Sequence, residues 1–447
     1  MRARQIKNVD RPNLFREIFV EGEVPRILFN QDVVPRNMAN NIWITDTTFR
    51  DGQQAREPYR VGQILQIYNL LNKLDNNAGV IRQSEFFLYS KEDKEAVQAC
   101  LGTGHQFPEV TGWIRALPED FKLVKGAGLK ETGILTSCSD YHIFIKLKKD
   151  RKKAAEQYLE VVEAALSEGI RPRCHLEDIT RADFDGFVIP FVQKLMRLSE
   201  EVDENLKIKI RACDTLGLGV SDPYVKLPRG VPKLIYTLIN EAGVPSERLE
   251  WHGHNDLHKV ASNAMVAWMY GASAVNCTLL GIGERTGNPP LEGAVLDYVS
   301  LRENPGLDTK VINEIANYYR GIGVEIPTNY PIIGRDAFTT RAGIHADGLT
   351  KDEEIYNPFD PEIVDREAEV AITNKTGFAG IKYWVESHYN VQLPKHDQRV
   401  ENIHNWISEQ YMNKRITAIS SGEMHGLVAQ YVPGAKPREG IILKMSG

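Results

Sequence analysis

From about residue 41 the chain alternates short runs rich in β-branched and aromatic residues with longer stretches whose apolar positions recur at helical spacing. That pattern belongs to βα units arranged around a parallel sheet. The strand-like runs are IWITDTTF, VIRQSEFF, EVTGWIRA, ETGILTS, IRPRCHLED, KIKIRACDT, RLEWHGH and SAVNCTLLGI. Between them lie amphipathic stretches such as VGQILQIYNLLNKL, KKAAEQYLEVVEAALSEG and VPKLIYTLINEAG, the last two closing on a glycine as helices often do. Eight strands in roughly 240 residues is the size of a (β/α)8 TIM barrel. The pattern therefore predicts an α/β chain with an N-terminal extension at residues 1–40, a TIM-barrel catalytic domain at 41–300 and a smaller, mainly helical C-terminal region at 301–447.

A barrel works at the C-terminal ends of its strands, and polar residues collect there: Arg50 and Asp51, Glu177 and Asp178, Asp214 and Thr215, His252 and His254. In an extended strand residues two apart share a face, so His252 and His254 converge. Two imidazoles beside a carboxylate suit a divalent first-row metal, although an HxH pair can also serve as hydrogen-bonding strand-end residues. Asp51 offers the carboxylate, and the adjacent Arg50 offers a cation able to stabilise an oxyanion. Glu177 offers a second carboxylate, either for proton handling or as a helix cap. The glycines of GIGERTGN permit close backbone approach to a ligand, and Asn288 within it is either an oxygen ligand or a turn residue.

Composition narrows the classes. The 447 residues are 42% hydrophobic and 26% charged, with a net charge of −6, so an ordinary globular core is expected and nucleic acid is not an expected partner. The basic stretch Lys146–Lys153 is short, has acidic neighbours and predicts the solvated entry to a helix. Five widely spaced cysteines without a CxxC pair predict reduced thiols and a cytoplasmic protein. No apolar run approaches the length of a membrane span, so no membrane partner is expected.

Taken together, DTTFRDGQQ, the ED-x-x-R piece, DTLG, HGHND, GERTGN and the later GRDAFTTRAGIHADG resemble the family of isopropylmalate, homocitrate, citramalate and Re-citrate synthases, with hydroxymethylglutaryl-CoA lyase more distant. The resemblance covers roughly residues 41–380. It implies a metal-dependent Claisen condensation of acetyl-CoA with a 2-oxo acid. Asp51, His252 and His254 are then metal ligands with Asn288 near or in the shell, and the ion is Mn2+ by preference, with Mg2+, Co2+ or Zn2+ alternatives. The resemblance also implies that Arg50 polarises the 2-oxo group, that Gln54 and Thr215 contact the substrate, and that Glu177 lies in the active site. His345 and Tyr356 match a His and a Tyr contributed from the C-terminal region, usually by the partner of a homodimer with exchanged C-terminal parts. Which of His345, Tyr356 and Glu177 removes the thioester methyl proton stays open, as does the choice between Gln83 and Glu85 for an inward glutamate position on the second strand.

The departures from the family pattern are informative. The residues after the helical region are too few for the regulatory domain of isopropylmalate synthases, so leucine feedback is not expected. His142 and His175 stand at strand ends where apolar residues would suit a branched aliphatic acceptor, and they favour an acceptor with a second carboxylate. With GERTGNPPLEG, the chain is most similar to the Re-type citrate synthases, whose acceptor is oxaloacetate; homocitrate synthase, then isopropylmalate or citramalate synthase, are the alternatives, and a 3-hydroxyacyl-CoA lyase is the alternative of a different class.

Overall fold

The computed structural model describes residues 3–349, 351–394 and 396–438. The chain forms two compact units, Met1–Asp308 and Thr309–Gly447.

The first unit is built on β1 (Trp43–Asp46), β2 (Ile81–Phe87), β3 (Glu109–Ile114), β4 (Glu131–Ser137), β5 (Arg171–Glu177), β6 (Lys209–Asp214), β7 (Leu249–Gly253) and β8 (Ala274–Cys277). They pair in parallel in sequence order and close into a barrel, as the strand pattern predicts. The helices are α1 (Val61–Asp75), α2 (Lys91–Leu101), α3 (Phe121–Gly126), α4 (Arg151–Ser167), α5 (Ile189–Glu200), α6 (Val231–Asn240), α7 (Val260–Tyr270) and α8 (Leu291–Arg302). The basic stretch does enter a helix, with the Asp150 side chain accepting from the Lys153 amide to cap α4, but it is not solvated throughout, because Arg151 is fully buried against Asp140. Two single-turn π-helices, Tyr141–Lys146 and Phe184–Val188, lie in the loops after β4 and β5.

Strand alternation separates two unlike faces. Outward positions such as Ile44, Ile134, Leu176, Ile210, Trp251 and Val275 are apolar and fully buried. Inward positions carry ions instead of the branched aliphatic residues usual in such barrels. Arg173 donates to Glu85 at 2.6 Å and to Glu131 at 2.9 Å, and Arg211 donates to Glu85 at 2.9 Å and to Glu250 at 2.9 Å. Lys209 reaches Glu131 at 2.7 Å. Three acids thus answer three bases inside the barrel, which removes the penalty of a lone buried charge without making the lattice a net source of stability.

The leading residues pack along the barrel unit: Ile18 and Phe19, with Phe15 and Leu28, form a cluster with Leu216, Leu218 and Leu257.

The second unit contains α9 (Val311–Gly321), a two-stranded sheet of β9 (Thr339–Thr340) and β10 (Glu369–Val370), α10 (Gly343–Leu349), α11 (Phe378–His388), α12 (Gln398–Met412) and α13 (Ser421–Tyr431). Its core gathers Ala346, Ile381, Val385, Ile403, Ile407 and Met424 from four of those helices. Ser420 and Glu423 form a capping box at the start of α13.

Candidate metal centre and active site

β7 ends in His252 and Gly253, and His254 follows directly, beside His252. Their Nε2 atoms lie 3.2 Å apart and are 3.4 and 3.6 Å from Asp51 Oδ2, on the loop after β1. All three residues are buried. Asn288, from the loop after β8, donates to Asp51 Oδ2 at 3.0 Å and to the Gly253 carbonyl at 3.1 Å. Gly283 makes room for that amide, because a Cβ there would stand 1.7 Å from Asn288 Oδ1.

The tautomer of His252 follows from its neighbour. Asn276 Oδ1 lies 2.7 Å from His252 Nδ1, while the Asn276 amide nitrogen donates to the Thr45 carbonyl at 3.4 Å. This network places the His252 proton on Nδ1 and leaves an Nε2 lone pair facing Asp51 and His254. Burial pushes the His252 imidazole down to about 3 against the pull of Asp51, so it is neutral at physiological pH. Burial also lowers His254. Burial alone would raise Asp51, but Arg50 and the two imidazoles outweigh it and hold the carboxyl at about 2.

One carboxylate and two neutral imidazoles are the donor set of a divalent cation, and these ligand atoms all lie within 4.8 Å of one another. His254 Nδ1 and Asn288 Oδ1 are buried without a hydrogen-bond partner. With the His254 proton on Nδ1, the Nε2 lone pairs of both imidazoles face each other and Asp51 Oδ2, an arrangement that a cation would satisfy. The residues therefore fit the metal that the sequence implies. Among the described residues it is the one group of three or more such ligands.

Arg50 is held from the side. Its Nε donates to Glu85 Oε2 at 2.9 Å, its Nη1 lies 3.5 Å from Asp51 Oδ1, and its guanidinium is 5.9 Å from the Trp113 ring centroid. Glu85 is the fully buried hub of the interior lattice; burial would raise it, but Arg211, Arg50 and Arg173 hold it well below the usual range. The choice between Gln83 and Glu85 thus falls to Glu85 for the contact with Arg50. Gln83 lies deeper, donating to Glu131 and Glu109.

Register places Ser137, Glu177, Cys213, His252 and Asn276 at one level of the barrel. Glu177 is engaged at that level by His142 Nδ1 at 2.9 Å, by Lys146 at 3.2 Å and by the Ser137 hydroxyl. Burial is overcome by His142, Ser137 and Lys146, and the carboxyl is held at about 2. His142 Nδ1 is therefore taken by Glu177, and Nε2, 3.7 Å from Asp178 Oδ2, is the nitrogen outside hydrogen-bond distance of a carboxylate. His175 lies on the inward face of β5, with Nε2 3.5 Å from Glu85. Its ring occupies the space over Gly133, where a Cβ would come within 2.5 Å of Nε2. Burial and the nearby Arg211 lower its pKa well below the usual value. The Thr215 hydroxyl accepts from the Asp178 amide at 2.8 Å, and Gln54 is exposed.

In the second unit, His345 and Tyr356 are exposed and face each other, with ring centroids 4.4 Å apart.

The HMGL-like family matches residues 41–318. The chain belongs to this family. Residues 332–413 match the homocitrate synthase post-HMGL domain. A citrate (Re)-synthase of Syntrophus aciditrophicus is 53% identical over 96% of this chain and 69% of its own length. A citrate (Re)-synthase of Clostridium kluyveri is 50% identical over 96% of both chains. A 2-phosphinomethylmalate synthase of Streptomyces hygroscopicus is 37% identical over 95% of this chain and 97% of its own. The solved hydroxymethylglutaryl-CoA lyase of Acinetobacter baumannii, with coenzyme A and 3-methylmalate, covers 64% of this chain and 93% of its own at 17% identity and a TM-score of 0.50, a likeness of fold alone. An HMGL-like barrel with Asp51, His252 and His254 converging is thus the frame in which the remaining residues act.

Proposed function

We propose that the chain condenses acetyl-CoA with oxaloacetate to give citrate and free CoA, adding the acetyl unit to the face opposite to that used by the common citrate synthase. The observation that carries this reading is identity of 53% and 50% to two citrate (Re)-synthases over 96% of the chain. We assign Asp51, His252, His254 and Asn288 to a divalent ion, Mn2+ by preference, with Mg2+, Co2+ and Zn2+ compatible with the same donors. When bound, such an ion supplies Lewis acidity that makes a 2-oxo carbonyl a better electrophile.

The protein's own groups do the rest. Glu85 fixes the Nε edge of Arg50, so that the guanidinium is preorganised for the oxyanion that forms as the keto carbon is attacked. Arg50, Gln54, His142, His175 and Thr215 are the proposed acceptor contacts. The thioester methyl is a very weak acid and needs a positioned base. Glu177, already neutralised by three donors, is a poor proton acceptor, and we assign it the orientation of His142. The base then falls to His345 with Tyr356, carried in a homodimer by the partner's C-terminal unit. We place the protein in the cytoplasm: its five cysteines are buried and free, and no helix of the described residues is long and apolar enough to cross a membrane.

The test is CoA release from acetyl-CoA across oxaloacetate, 2-oxoglutarate, 2-oxoisovalerate and pyruvate. The homocitrate-synthase-type domain at residues 332–413 is the reason 2-oxoglutarate belongs in that panel. Oxaloacetate should give the highest kcat/KM, and stereospecific cleavage of labelled citrate should report the face. Faster turnover with another acid would overturn the acceptor while leaving the condensation.

A further inference from the structure

The leading residues have no role in the chemistry above, yet their hydrogen bonds go to the loops that surround it. The Lys7 amide donates to the Gly186 carbonyl at 2.9 Å, and Arg151 donates to the Lys7 carbonyl at 3.1 Å. The Asn13 amide donates to Asp140 Oδ2 at 2.6 Å. That carboxylate is itself locked, receiving Arg151 Nε at 2.8 Å and Nη2 at 2.7 Å. Arg151 and Asp140 are both buried, so the anchor is rigid. Tyr141 donates its hydroxyl to the Leu14 carbonyl at 2.8 Å, and Phe19 meets the Tyr141 ring edge-on at 6.4 Å. Phe15, Ile18 and Phe19 also cover Leu216, Leu218 and Leu257, in the loops after β6 and β7.

From Tyr141 a continuous set of contacts runs inward. The Arg181 guanidinium lies 4.0 Å from the Tyr141 ring centroid. Arg181 Nε donates to Asp178 Oδ1 and Oδ2 at 2.9 and 3.0 Å. Asp178, which adopts a left-handed backbone (φ 65°), has Oδ2 3.7 Å from His142 Nε2, and His142 Nδ1 is held by Glu177 at 2.9 Å. Nδ1 of His142 is thus fixed by Glu177, while Nε2 lies beside but outside hydrogen-bond distance of Asp178, a carboxylate held by the Ser139 hydroxyl and by a cation resting on Tyr141.

We propose that residues 7–19 are a fixed part of the active-site rim and that Tyr141 is the positioning residue through which they hold His142 for the acceptor. The proposal rests on the reading of His142 as an acceptor contact. The Tyr141 ring supports Arg181, and its hydroxyl ties that support to the leading segment. Loosening it lets the Arg181–Asp178 pair shift and turns the imidazole.

Tyr141→Phe removes the hydroxyl bond to Leu14 but keeps the ring, and Phe19→Ala removes the edge contact from the other side. Each should raise the KM for oxaloacetate by about 2- to 10-fold, the range of one lost hydrogen bond or packing contact, with the KM for acetyl-CoA and the bound metal unchanged. In the full chain, His142→Phe/Tyr141→Phe should be no worse than His142→Phe alone, because the relay then has nothing to position. In Tyr141→Phe, the NMR resonances of the His142 imidazole should shift. If they stay in place, or if the two substitutions multiply, the relay does not exist. If His142→Phe leaves the KM for oxaloacetate unchanged while those resonances shift, the relay stands and the acceptor role of His142 falls.

Discussion

His252 is buried beside an acid and yet neutral, because the loss of hydration outweighs the attraction of Asp51. In the metal-free protein its NMR resonances should show no titration between pH 8 and about 5, since its pKa is near 3; a midpoint near 6.5 would contradict the burial. The sign for stability follows: the unfolded imidazole binds a proton below 6.5 and the folded one does not, so this residue withdraws stability as pH falls from 6.5 towards 3. Asp46 and Asp214, raised by burial to about 6, act oppositely, taking up protons in the folded state as pH falls from about 6 towards 4. His254→Ala should abolish most divalent-ion binding by calorimetry, and nearly all turnover, while circular dichroism stays native; retained metal would move the site elsewhere. The convergence of Asp51, His252 and His254 was legible in sequence because each member is local to a strand end. The engagement of His142 by Glu177 was not, since residues 35 apart in the chain meet only through barrel register. Gln83 and Glu85 could not be separated for the reason that made His252 and His254 easy to pair: residues two apart on a strand share a face.

At the level of elements, the strands were readable from their outward faces, whose apolar residues lie under the helices. Their inward faces were written just as plainly in RPRCHLE and KIRACD, but which ion meets which depends on closure of the barrel. The π-helices left no signal, because a shift of hydrogen-bond partner does not alter the spacing of apolar positions. Arg211 answers both Glu85 and Glu250 without solvent, so Arg211→Met should cost about 3–5 kcal/mol in urea unfolding, the penalty of stranding buried acids. Arg211→Met/Glu250→Met should recover part of that loss. If the single substitution is neutral, water or another base compensates the acids.

For the whole molecule, the proposed homodimer makes a direct prediction. Asp51→Ala and His345→Ala proteins should each be inactive, and their mixture after subunit exchange should regain up to about one quarter of normal activity, since half of random dimers are mixed and one of their two sites is intact. No recovery after proven exchange would mean that His345 serves its own barrel. The leading segment was the part least legible in sequence, because it is held by main-chain bonds to Asp140, Tyr141 and Arg151 and carries no periodic pattern. The ionic interior has a consequence for descent. A single inward substitution leaves a buried charge stranded, so lineages that drift from this sequence should exchange interior acids and bases in pairs. His142 is also paired with an acid, but Glu177 keeps Ser137 and Lys146 as donors when the imidazole is replaced, so divergence towards a different acceptor should begin there with single changes.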